Sequence, residues 1–272
     1  MKGKAVAITG AANGIGLAAA RRFAAAGARV AIGDLDGDGA SRAAAALGVD
    51  ALGMALDVSD RDSFAAFMAA AERQLGPLAV LVNNAGVDWI GPFEEEPEEV
   101  TRREIDVNLM GTIIGTRLAV QRMLPRGHGH VVNVASGVGR LPLPGSACYS
   151  ATKHAIVGLT ESLRLEYRRT ALRFSLVLPS QVETGMLAGQ ARPRLMAQIA
   201  PEQVAAAILR AVLQNRFEVW VPGSQGPAVR LAGLLPRRVR EAALLGVGIA
   251  RLSEGTDPGA REEYHRSAFP QA

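Results

Sequence analysis

Residues 6–16 have the sequence Val-Ala-Ile-Thr-Gly-Ala-Ala-Asn-Gly-Ile-Gly, and this stretch decides the fold. The apolar run Ala5 to Ile8 predicts a strand buried on both faces. The alanine-rich run Leu17 to Ala26, followed by Gly27, predicts a helix. Glycines between a strand and a helix let the backbone approach an anion, which the N–H groups of the first helical turn would face. The stretch therefore predicts a phosphate site. An ordinary tight turn is the alternative, since the spacing Gly-x-x-x-Gly-x-Gly differs from the commoner G-x-G-x-x-G.

The composition is that of a globular protein, because 49% of the residues are hydrophobic and 21% are charged. A chain of 272 residues can bury a full α/β core, so we expect a single domain over residues 1–272. The net charge of +4 comes without a run of Lys and Arg, and we therefore expect no nucleic-acid partner.

Three features bear on location. Cys148 is the sole cysteine, which excludes an internal disulfide and favours a reducing compartment, so we expect a cytoplasmic protein. The chain enters the first predicted strand directly after Met1-Lys2-Gly3-Lys4, which leaves no room for a signal peptide. Apolar runs stay shorter than the roughly 18 residues that a membrane-spanning helix needs.

Apolar strands alternate with helical segments along the chain. This alternation predicts an α/β fold with a doubly wound parallel sheet, helices on both faces and ligands at the carboxyl ends of the strands. Among the helices, we expect a short one over Ser41 to Leu47 and a long one over Val100 to Leu124. Strands after the first are predicted at 29–33, 51–57, 78–82, 130–135, 174–178 and 217–221.

Two strand ends carry polar residues. Asp34 ends the second strand, about 20 residues beyond the glycine turn, where a carboxylate accepts hydrogen bonds from adenosine ribose hydroxyls. It would also repel the 2′-phosphate of NADP, so NAD is the expected cofactor. The alternative is a plain turn, since residues 34–39 read Asp-Leu-Asp-Gly-Asp-Gly. Asn83 and Asn84 end the fourth strand, and at least one should close its turn with the side chain.

Four further residues form a candidate catalytic set. Tyr149 and Lys153 are four apart on one predicted helix, so they project from the same face. Ser136 ends the fifth strand just upstream. Asn108 interrupts the apolar face of the long helix, where a buried asparagine with satisfied hydrogen bonds is the ordinary explanation. The joint occurrence of the four favours a functional role.

In this order, the motifs resemble those of the classical short-chain dehydrogenase/reductase family over most of residues 4–222. The family's cofactor turn Thr-Gly-x-x-x-Gly-x-Gly matches Thr9 to Gly16. Its Asn-Asn-Ala-Gly segment matches Asn83 to Gly86, and its Tyr-x-x-x-Lys matches Tyr149 to Lys153. The resemblance implies a Rossmann-type fold, a nicotinamide cofactor and a homodimer or homotetramer.

The chemistry explains why these residue types occur together. Hydride transfer to a carbonyl leaves an alkoxide that must be protonated, and the reverse oxidation needs a base. The ammonium of Lys153 beside Tyr149, with an oxidised nicotinamide ring nearby, would favour the phenolate and lower the tyrosine pKa from its usual value near 10. Ser136 would donate a hydrogen bond to the substrate oxygen. By resemblance, Lys153 also binds the nicotinamide ribose, and Asn108 holds a water that links this lysine to solvent.

The resemblance also implies the cofactor contacts. Asp57-Val58 matches the segment that contacts adenine, and Pro179 to Thr184 matches Pro-Gly-x-Val-x-Thr, whose threonine holds the nicotinamide carboxamide. Ser180 replaces the usual glycine there and restricts the backbone. No metal site is expected, because His128 and His130 lack carboxylate or cysteine partners nearby. The predicted cofactor-binding residues are Gly10, Asn13, Gly14, Ile15, Gly16, Asp34, Asp57, Val58, Asn84, Ala85, Gly86, Tyr149, Lys153, Pro179, Val182 and Thr184.

Beyond these motifs the chain is less decisive. Residues 224–272 form a C-terminal extension that is predicted to be helical, and within it residues 227–252 combine apolar residues with five arginines and a single glutamate. This extension would cover the pocket or a subunit contact, lie on a membrane surface, or remain solvated. An apolar pocket is predicted from residues some of which would be plain core: Trp89, Ile90, Leu141, Leu143, Met186, Leu187, Leu195, Met196 and Ile199.

The sequence thus predicts an NAD-dependent oxidoreductase. It would act by a Ser-Tyr-Lys mechanism on a secondary alcohol or ketone of an apolar substrate, of the lipid, steroid or retinoid kind. The alternative is a catalytically idle module that binds NAD(H) as a sensor or scaffold. The sequence names neither the substrate nor the direction of the reaction.

Overall fold

The computed structural model describes residues 1–48, 50–187, 198–246, 259, 264–266, 268 and 269. In these ranges, seven parallel strands form one sheet: β1 (Ala5–Thr9), β2 (Arg29–Asp34), β3 (Ala51–Ala55), β4 (Leu78–Asn83), β5 (Gly129–Val134), β6 (Leu172–Pro179) and β7 (Glu218–Val221). Their spatial order is β3-β2-β1-β4-β5-β6-β7. Strands β2 and β3 are added on one side of β1 and strands β4 to β7 on the other, so the strand order reverses between β1 and β4. This doubly wound, Rossmann-type sheet confirms the predicted fold class.

Helices connect the strands and cover both faces of the sheet. They are α1 (Gly14–Ala25), α2 (Gly37–Ala45), α3 (Arg61–Leu75), α4 (Glu98–Glu104), α5 (Gly111–Met123), α6 (Ala147–Glu166), α7 (Pro201–Leu213), α8 (Gln225–Gly233) and α9 (Arg237–Gly246). Short 3₁₀ turns occur at Phe93–Glu95, Gly137–Gly139 and Gly185–Leu187.

The interior strand β1 is buried on both faces, which explains its continuous apolar sequence. Val6 and Ile8 point into one core, which α1, α2 and α7 cover. Ala5 and Ala7 point into a second core on the opposite face, which α3 and α5 cover. All four side chains are buried. A strand without a polar face fixes the layers above and below it.

Helix α2 begins four residues earlier than predicted, at Gly37 rather than Ser41. The reason is a cap: Oδ1 of Asp36 accepts a hydrogen bond from the Gly39 N–H at 2.8 Å. The aspartate-rich segment therefore forms the start of a helix rather than a free turn.

The long helix predicted over Val100 to Leu124 is divided in three. Helix α4 ends at Glu104, a π-helical segment spans Ile105–Met110, and α5 follows from Gly111. A π turn widens a helix locally and often occurs at functional sites. Here it contains Asn108.

The described part of the C-terminal extension consists mainly of α8 and α9. Val229 of α8 packs against the cluster that contains Trp220. The outer side carries exposed apolar residues, of which Leu234 is 82% exposed. The extension residues Val247 and Ile249 lie outside the described part of the chain. Within the described ranges, the helices are all too short or too polar to cross a bilayer.

Candidate active site

A cavity of about 1170 Å³ opens at the carboxyl ends of the strands. The predicted cofactor-binding residues line it, with the exception of Gly16, and Ser136 lines it as well. Asn108 and Gly16 lie behind the wall. The fold therefore brings residues from six separate loops to one place, as expected at the point where the strand order reverses.

The glycine turn after β1 is held against the loop after β4. Gly10 has a φ of +62°, and a Cβ there would lie 2.7 Å from the Ala85 Cα. A Cβ at Gly16 would lie 2.2 Å from the Gly10 carbonyl oxygen. The Asn84 side chain donates to the Thr9 and Gly10 carbonyls at 3.0 Å, and the Thr9 hydroxyl accepts from the Asn84 and Ala85 N–H groups. Asn84 therefore serves the turn with its side chain.

This turn fits the pyrophosphate of a dinucleotide. Asn13 precedes α1 and, within the described residues, its side chain makes no capping hydrogen bond, so the first N–H groups of the helix face the cavity side without that cap. Gly14 has a φ of +54°, and a Cβ there would come within 3.3 Å of the Thr184 Cγ2. Only glycine leaves that gap open.

The two aspartates that were predicted to contact adenosine, Asp34 and Asp57, both line the cavity. Oδ2 of Asp34 accepts a hydrogen bond from the Ala12 N–H at 2.9 Å, which ties the end of β2 to the glycine turn. Asp57 accepts from the hydroxyl and the N–H of Ser59, and its Oδ2 lies 3.5 Å from Arg103 Nη1. Burial would raise the pKa of Asp57, but these hydrogen bonds and the arginine lower it overall.

The catalytic candidates meet on the opposite wall. Tyr149 and Lys153 lie one turn apart on α6, with Nζ of Lys153 5.3 Å from the centre of the tyrosine ring. Nζ also lies 3.4 Å from the Val134 carbonyl oxygen, which holds the lysine under β5. Ser136 hydrogen-bonds to Tyr149 and accepts from the Val138 N–H at 3.3 Å. The three side chains thus surround one point in the cavity.

Burial dominates the protonation of this group. It raises the pKa of Tyr149 well above its usual value; the nearby Asp88 carboxylate raises it further, and the hydrogen bond with Ser136 lowers it. The protein groups alone therefore favour the neutral phenol, and the predicted preference for the phenolate depended on an oxidised nicotinamide ring in addition to Lys153. Burial also lowers the pKa of Lys153 to about 8, although Asp88 and Glu104 oppose this. A neutral phenol in this place is a proton donor for an alkoxide.

Asn108 holds a loop. Its Oδ1 accepts from the Val87 N–H at 2.8 Å, and its Nδ2 donates to the Val87 carbonyl at 2.9 Å and lies 3.3 Å from the Thr152 hydroxyl. A Cβ on Gly86 would lie 3.1 Å from Asn108 Oδ1 and 3.4 Å from Lys153 Nζ. The asparagine therefore lies next to the lysine but fixes the loop after β4.

Asn83 is also committed to structure. Its Nδ2 donates to Thr116 at 3.0 Å and to Asn133 at 2.9 Å. Asn133 in turn donates to Thr160 at 3.0 Å, which links β4, β5, α5 and α6 in the core. Both asparagines at the end of β4 thus act through side-chain hydrogen bonds, which satisfies the expectation for at least one of them.

Two buried carboxyl groups escaped the sequence analysis. Asp88 is 5% exposed and lines the cavity. Glu104 is fully buried, and its Oε1 accepts from the Trp89 N–H at 2.6 Å. Burial and the Asp88 charge raise the pKa of Glu104 to about 9, so it is protonated at neutral pH. A signal was present, since Asp88 interrupts an apolar run and Glu104 lies one helical turn before Asn108.

The apolar pocket is present, with corrections to its lining. Ile90, Leu141, Leu143 and Met186 line the cavity. Trp89 does not line it, because its side chain packs in a separate cluster with Val100 and Phe269. Ile199 lies in the core beneath α1 and α7 and pairs with Val182. Leu195, Met196 and the side chain of Leu187 lie outside the described part of the chain.

The rest of the pocket wall comes from β7 and the extension, and an ion network braces it. Arg140, after Ser136, pairs with Glu161 of α6 and lies 2.9 Å from Glu218 of β7. Glu218 also accepts from the Trp220 indole at 2.9 Å and from Arg230 of α8 at 2.8 Å. The network ties the loop after β5 to the extension. The residues that the extension and β7 add to the lining are Trp220, Gln225, Ala228, Val229, Leu244, Tyr264 and Ala268.

A metal site and a reactive cysteine are two further features that the sequence raised. Among the described residues, no group of three or more His, Cys, Asp and Glu side chains could hold a metal ion. Burial and the nearby Glu96 raise the pKa of the Cys148 thiol, so it remains protonated and unreactive.

Comparison with known proteins identifies the family of this chain. Residues 4–194 match the family model described as short chain dehydrogenase. The chain therefore belongs to the short-chain dehydrogenase family, as its motifs indicated, and its class is that of nicotinamide-dependent oxidoreductases acting on alcohol groups.

Individual relatives narrow the comparison. The 1-deoxy-11-beta-hydroxypentalenate dehydrogenase of Streptomyces exfoliatus is 37% identical over 226 residues, which cover 80% of this chain and 82% of that protein. An inactive 2-(S)-hydroxypropyl-CoM dehydrogenase 2 of Xanthobacter autotrophicus is 42% identical over 163 residues, which cover 60% of this chain and 71% of that protein. The crystal structure of a short chain dehydrogenase/reductase from Burkholderia phymatum in complex with NAD superposes with a TM-score of 0.78 at 29% identity, covering 85% of this chain and 93% of that one.

Glu104→Gln is expected to flatten the pH dependence of stability. The folded protein keeps this carboxyl protonated up to a pKa of about 9, whereas the group ionises near 4.5 in the unfolded chain. Because the folded state then binds more protons, the free energy of unfolding falls as pH rises between these values. Urea titrations between about pH 5 and pH 8.5 measure the slope. Glutamine keeps the acceptor for Trp89 but cannot ionise.

The matched control is Glu99→Gln, an exposed residue of the same helix. It should leave the slope as in the unaltered protein. An unchanged slope in Glu104→Gln would contradict the assignment of a neutral buried carboxyl group.

Proposed function

We propose that this protein transfers a hydride between NAD(H) and a secondary alcohol or ketone of an apolar substrate of the lipid, steroid or retinoid kind. The observation that carries the proposal is the meeting of Ser136, Tyr149 and Lys153 at one point of the cavity that the glycine turn also lines. Nicotinamide, when bound, accepts or donates the hydride. The apolar wall formed by residues such as Leu143 and Val229 supports an apolar substrate.

Each side chain has a distinct task in this proposal. The Tyr149 hydroxyl exchanges a proton with the substrate oxygen, and the Ser136 hydroxyl donates a hydrogen bond to that oxygen as charge develops. Lys153, cationic below its pKa of about 8, stabilises negative charge on the tyrosine during the exchange. Asn108 acts as a positioning residue, because its hydrogen bonds fix the loop that passes beside the lysine.

The rival proposal is a catalytically idle module that binds NAD(H). It has a precedent, since one relative is named an inactive dehydrogenase. The intact set of Ser136, Tyr149 and Lys153 favours an enzyme, because dinucleotide binding alone needs no proton-transfer group. A panel of cyclic and linear secondary alcohols with NAD⁺, monitored by nicotinamide absorbance, separates the two.

We further propose that residues 224–272 extend one domain over 1–272 and cover the substrate side of the cavity. Val229 and Leu244, which line that side, support the cover. The family membership supports a homodimer or homotetramer, and the single free cysteine supports a cytoplasmic location. A membrane surface is the alternative partner for the segment 227–252, because arginines accompany exposed leucines in its described part, residues 227–246.

Tyr149→Phe should lower kcat by a factor of about 10² or more, in the range found for loss of a general acid or base. The hydroxyl handles the proton, whereas the ring only packs, so the dissociation constant for NADH should stay within about threefold. Steady-state kinetics and quenching of protein fluorescence by NADH measure the two quantities. Tyr167→Phe is the control, because Tyr167 caps the opposite, C-terminal end of the same helix and does not line the cavity. Substantial turnover by Tyr149→Phe would remove tyrosine from the acid–base role.

Asp34→Ser should lower the ratio of kcat/KM for NAD to kcat/KM for NADP by about tenfold or more. The carboxylate would bind the ribose hydroxyls and repel a 2′-phosphate. Arg21 of α1 lines the same end of the cavity and could attract that phosphate instead, so Arg21→Ala is the informative control. Equal kcat/KM for the two cofactors in the unaltered enzyme would show that Asp34 does not select.

Val229→Ser should raise the KM of an apolar alcohol by about fivefold, because the side chain lines the cavity and loses apolar contact. Leu231→Ser, on the same helix but 66% exposed, should leave kinetics unchanged. Co-sedimentation with phosphatidylserine vesicles tests the alternative. Strong, salt-sensitive binding that Leu231→Ser weakens, together with unaltered KM in Val229→Ser, would identify a membrane-surface helix instead of a cover.

A further inference from the structure

The loop after β4 is held on one side by the end of α4 and the π-helical segment that follows it. The Val87 N–H donates to Asn108 Oδ1 at 2.8 Å, and the Trp89 N–H donates to Glu104 Oε1 at 2.6 Å. Four helical residues rise about 6 Å and two residues of an extended chain rise about 6.6 Å. Acceptors four residues apart on a helix therefore match amides two residues apart on the loop.

The opposite side of this loop is held by the end of the chain. The N–H of Asp88, which lies between the two amides just described, donates to the Tyr264 hydroxyl at 3.0 Å. Successive amides of an extended chain point to opposite sides, which explains why a different element supplies this acceptor. Tyr264 belongs to a helical turn, in which the Phe269 N–H donates to the His265 carbonyl oxygen at 2.8 Å.

An apolar contact reinforces that hydrogen bond. Phe269 is 4% exposed and packs in one cluster with Trp89 and Val100, and Tyr264 and Ala268 pack against the same cluster. Tyr264 and Ala268 are four residues apart, so they lie on one face of the helical turn. We call Tyr264, Ala268 and Phe269 the tail anchor. Phe269 and Trp89 do not line the cavity, so their contact lies behind its wall.

The loop that the tail anchor holds also contacts both catalytic elements. On the lysine side, a Cβ on Gly86 would lie 3.4 Å from Lys153 Nζ. On the tyrosine side, the Ser146 hydroxyl donates to the Trp89 carbonyl oxygen at 3.2 Å. Ser146 is the N-cap residue of α6, the helix that carries Tyr149. A displacement of the loop would therefore disturb the first turn of α6 and the surroundings of the lysine together.

We propose that the tail anchor is a positioning element of the active site, which holds the loop after β4 and, through it, Lys153 and the first turn of α6. The catalytic part of this inference rests on the proposed function. Tyr264 supplies a hydrogen-bond acceptor to the loop, and Phe269 fixes Trp89 from behind the cavity wall. The end of the chain thus acts on the alignment of the reacting groups in addition to covering the cavity.

Amide hydrogen exchange, followed by mass spectrometry, tests the positioning directly and needs no substrate. Tyr264→Phe removes the acceptor and keeps the ring, so the peptide that contains residues 84–92 should exchange about tenfold faster. Phe269→Ala should have the same effect, whereas Phe269→Leu, which refills most of the apolar volume, should keep most of the protection. Phe174→Ala is the matched control, because Phe174 is 5% exposed but packs in the core that α3 and α5 cover. It should leave this peptide unaltered.

Steady-state kinetics test the catalytic consequence, with every variant assayed below its thermal transition. Phe269→Ala should lower kcat for cyclohexanol with NAD⁺ by about tenfold, because the reacting groups lose their alignment. The KM should stay within about threefold, since Phe269 does not line the cavity. Phe269→Leu should keep most of the kcat, and Phe174→Ala should keep the kcat of the unaltered protein.

The inference is overturned if residues 84–92 exchange at the unaltered rate in both Tyr264→Phe and Phe269→Ala, or if Phe174→Ala accelerates them equally. Faster exchange with an unaltered kcat would overturn it as well. If Phe269→Ala fails to fold, Tyr264→Phe decides by both measurements. Failure of the proposed function looks different, since the unaltered protein would then turn over none of the secondary alcohols, while the exchange rates would still show whether the tail anchor holds the loop.

Discussion

The contact between the glycine turn after β1 and the loop after β4 is the constraint on which the rest of the structure depends. Gly10 and Ala85 approach so closely that a Cβ on Gly10 would lie 2.7 Å from the Ala85 Cα. The Asn84 side chain and the Thr9 hydroxyl close this contact with four hydrogen bonds, two at each partner. Because the strand order reverses there, the same contact opens the crevice above the sheet. Loss of the contact would misplace both the glycine turn and the loop after β4, which passes beside Lys153.

The opposite wall is governed by burial. Desolvation keeps Tyr149 neutral, brings the pKa of Lys153 down to about 8 and keeps Glu104 protonated. The pKa values of the three groups therefore depart from their usual values mainly for one physical reason, burial. The π-helical segment helps to build this wall, since it carries Asn108 beside Lys153 and follows Glu104 directly. Its local widening of the helix accompanies the insertion of polar groups into an apolar core.

The features that could be predicted from the sequence are the strands and the glycine turn, because both depend on the pattern of apolar residues and glycines along the chain. Strands buried on both faces appear as apolar runs, so the strands of the sheet could be predicted from the sequence. Glycines between a strand and a helix have few structural roles, so the position of the crevice could be predicted as well. The start of α2 was missed because a single side chain, Asp36, sets it. The π-helical segment was missed because its sequence has the same period as the helix around it. Trp89 was assigned to the pocket because an apolar run does not show which neighbour points inward.

The site itself was predictable where a motif names each residue and less so elsewhere. Asp88 and Glu104 are remote from each other in sequence, and their coupling depends on packing that no spacing shows. The extension was ambiguous for a similar reason: α8 has apolar residues on two sides, and only the fold shows that Val229 faces the cavity and Leu231 faces outward.

The hydrogen bond between Asp88 and Tyr264 joins residues 176 positions apart. A ribosome makes a chain from its N-terminus, and folding units can form while synthesis continues. The four hydrogen bonds that close the glycine turn join residues 9 and 10 to residues 84 and 85, whereas the hydrogen bond at Asp88 waits for Tyr264. During synthesis, all the residues that close the glycine turn are therefore present about 180 residues before the chain reaches the tyrosine that completes the wall around Asp88.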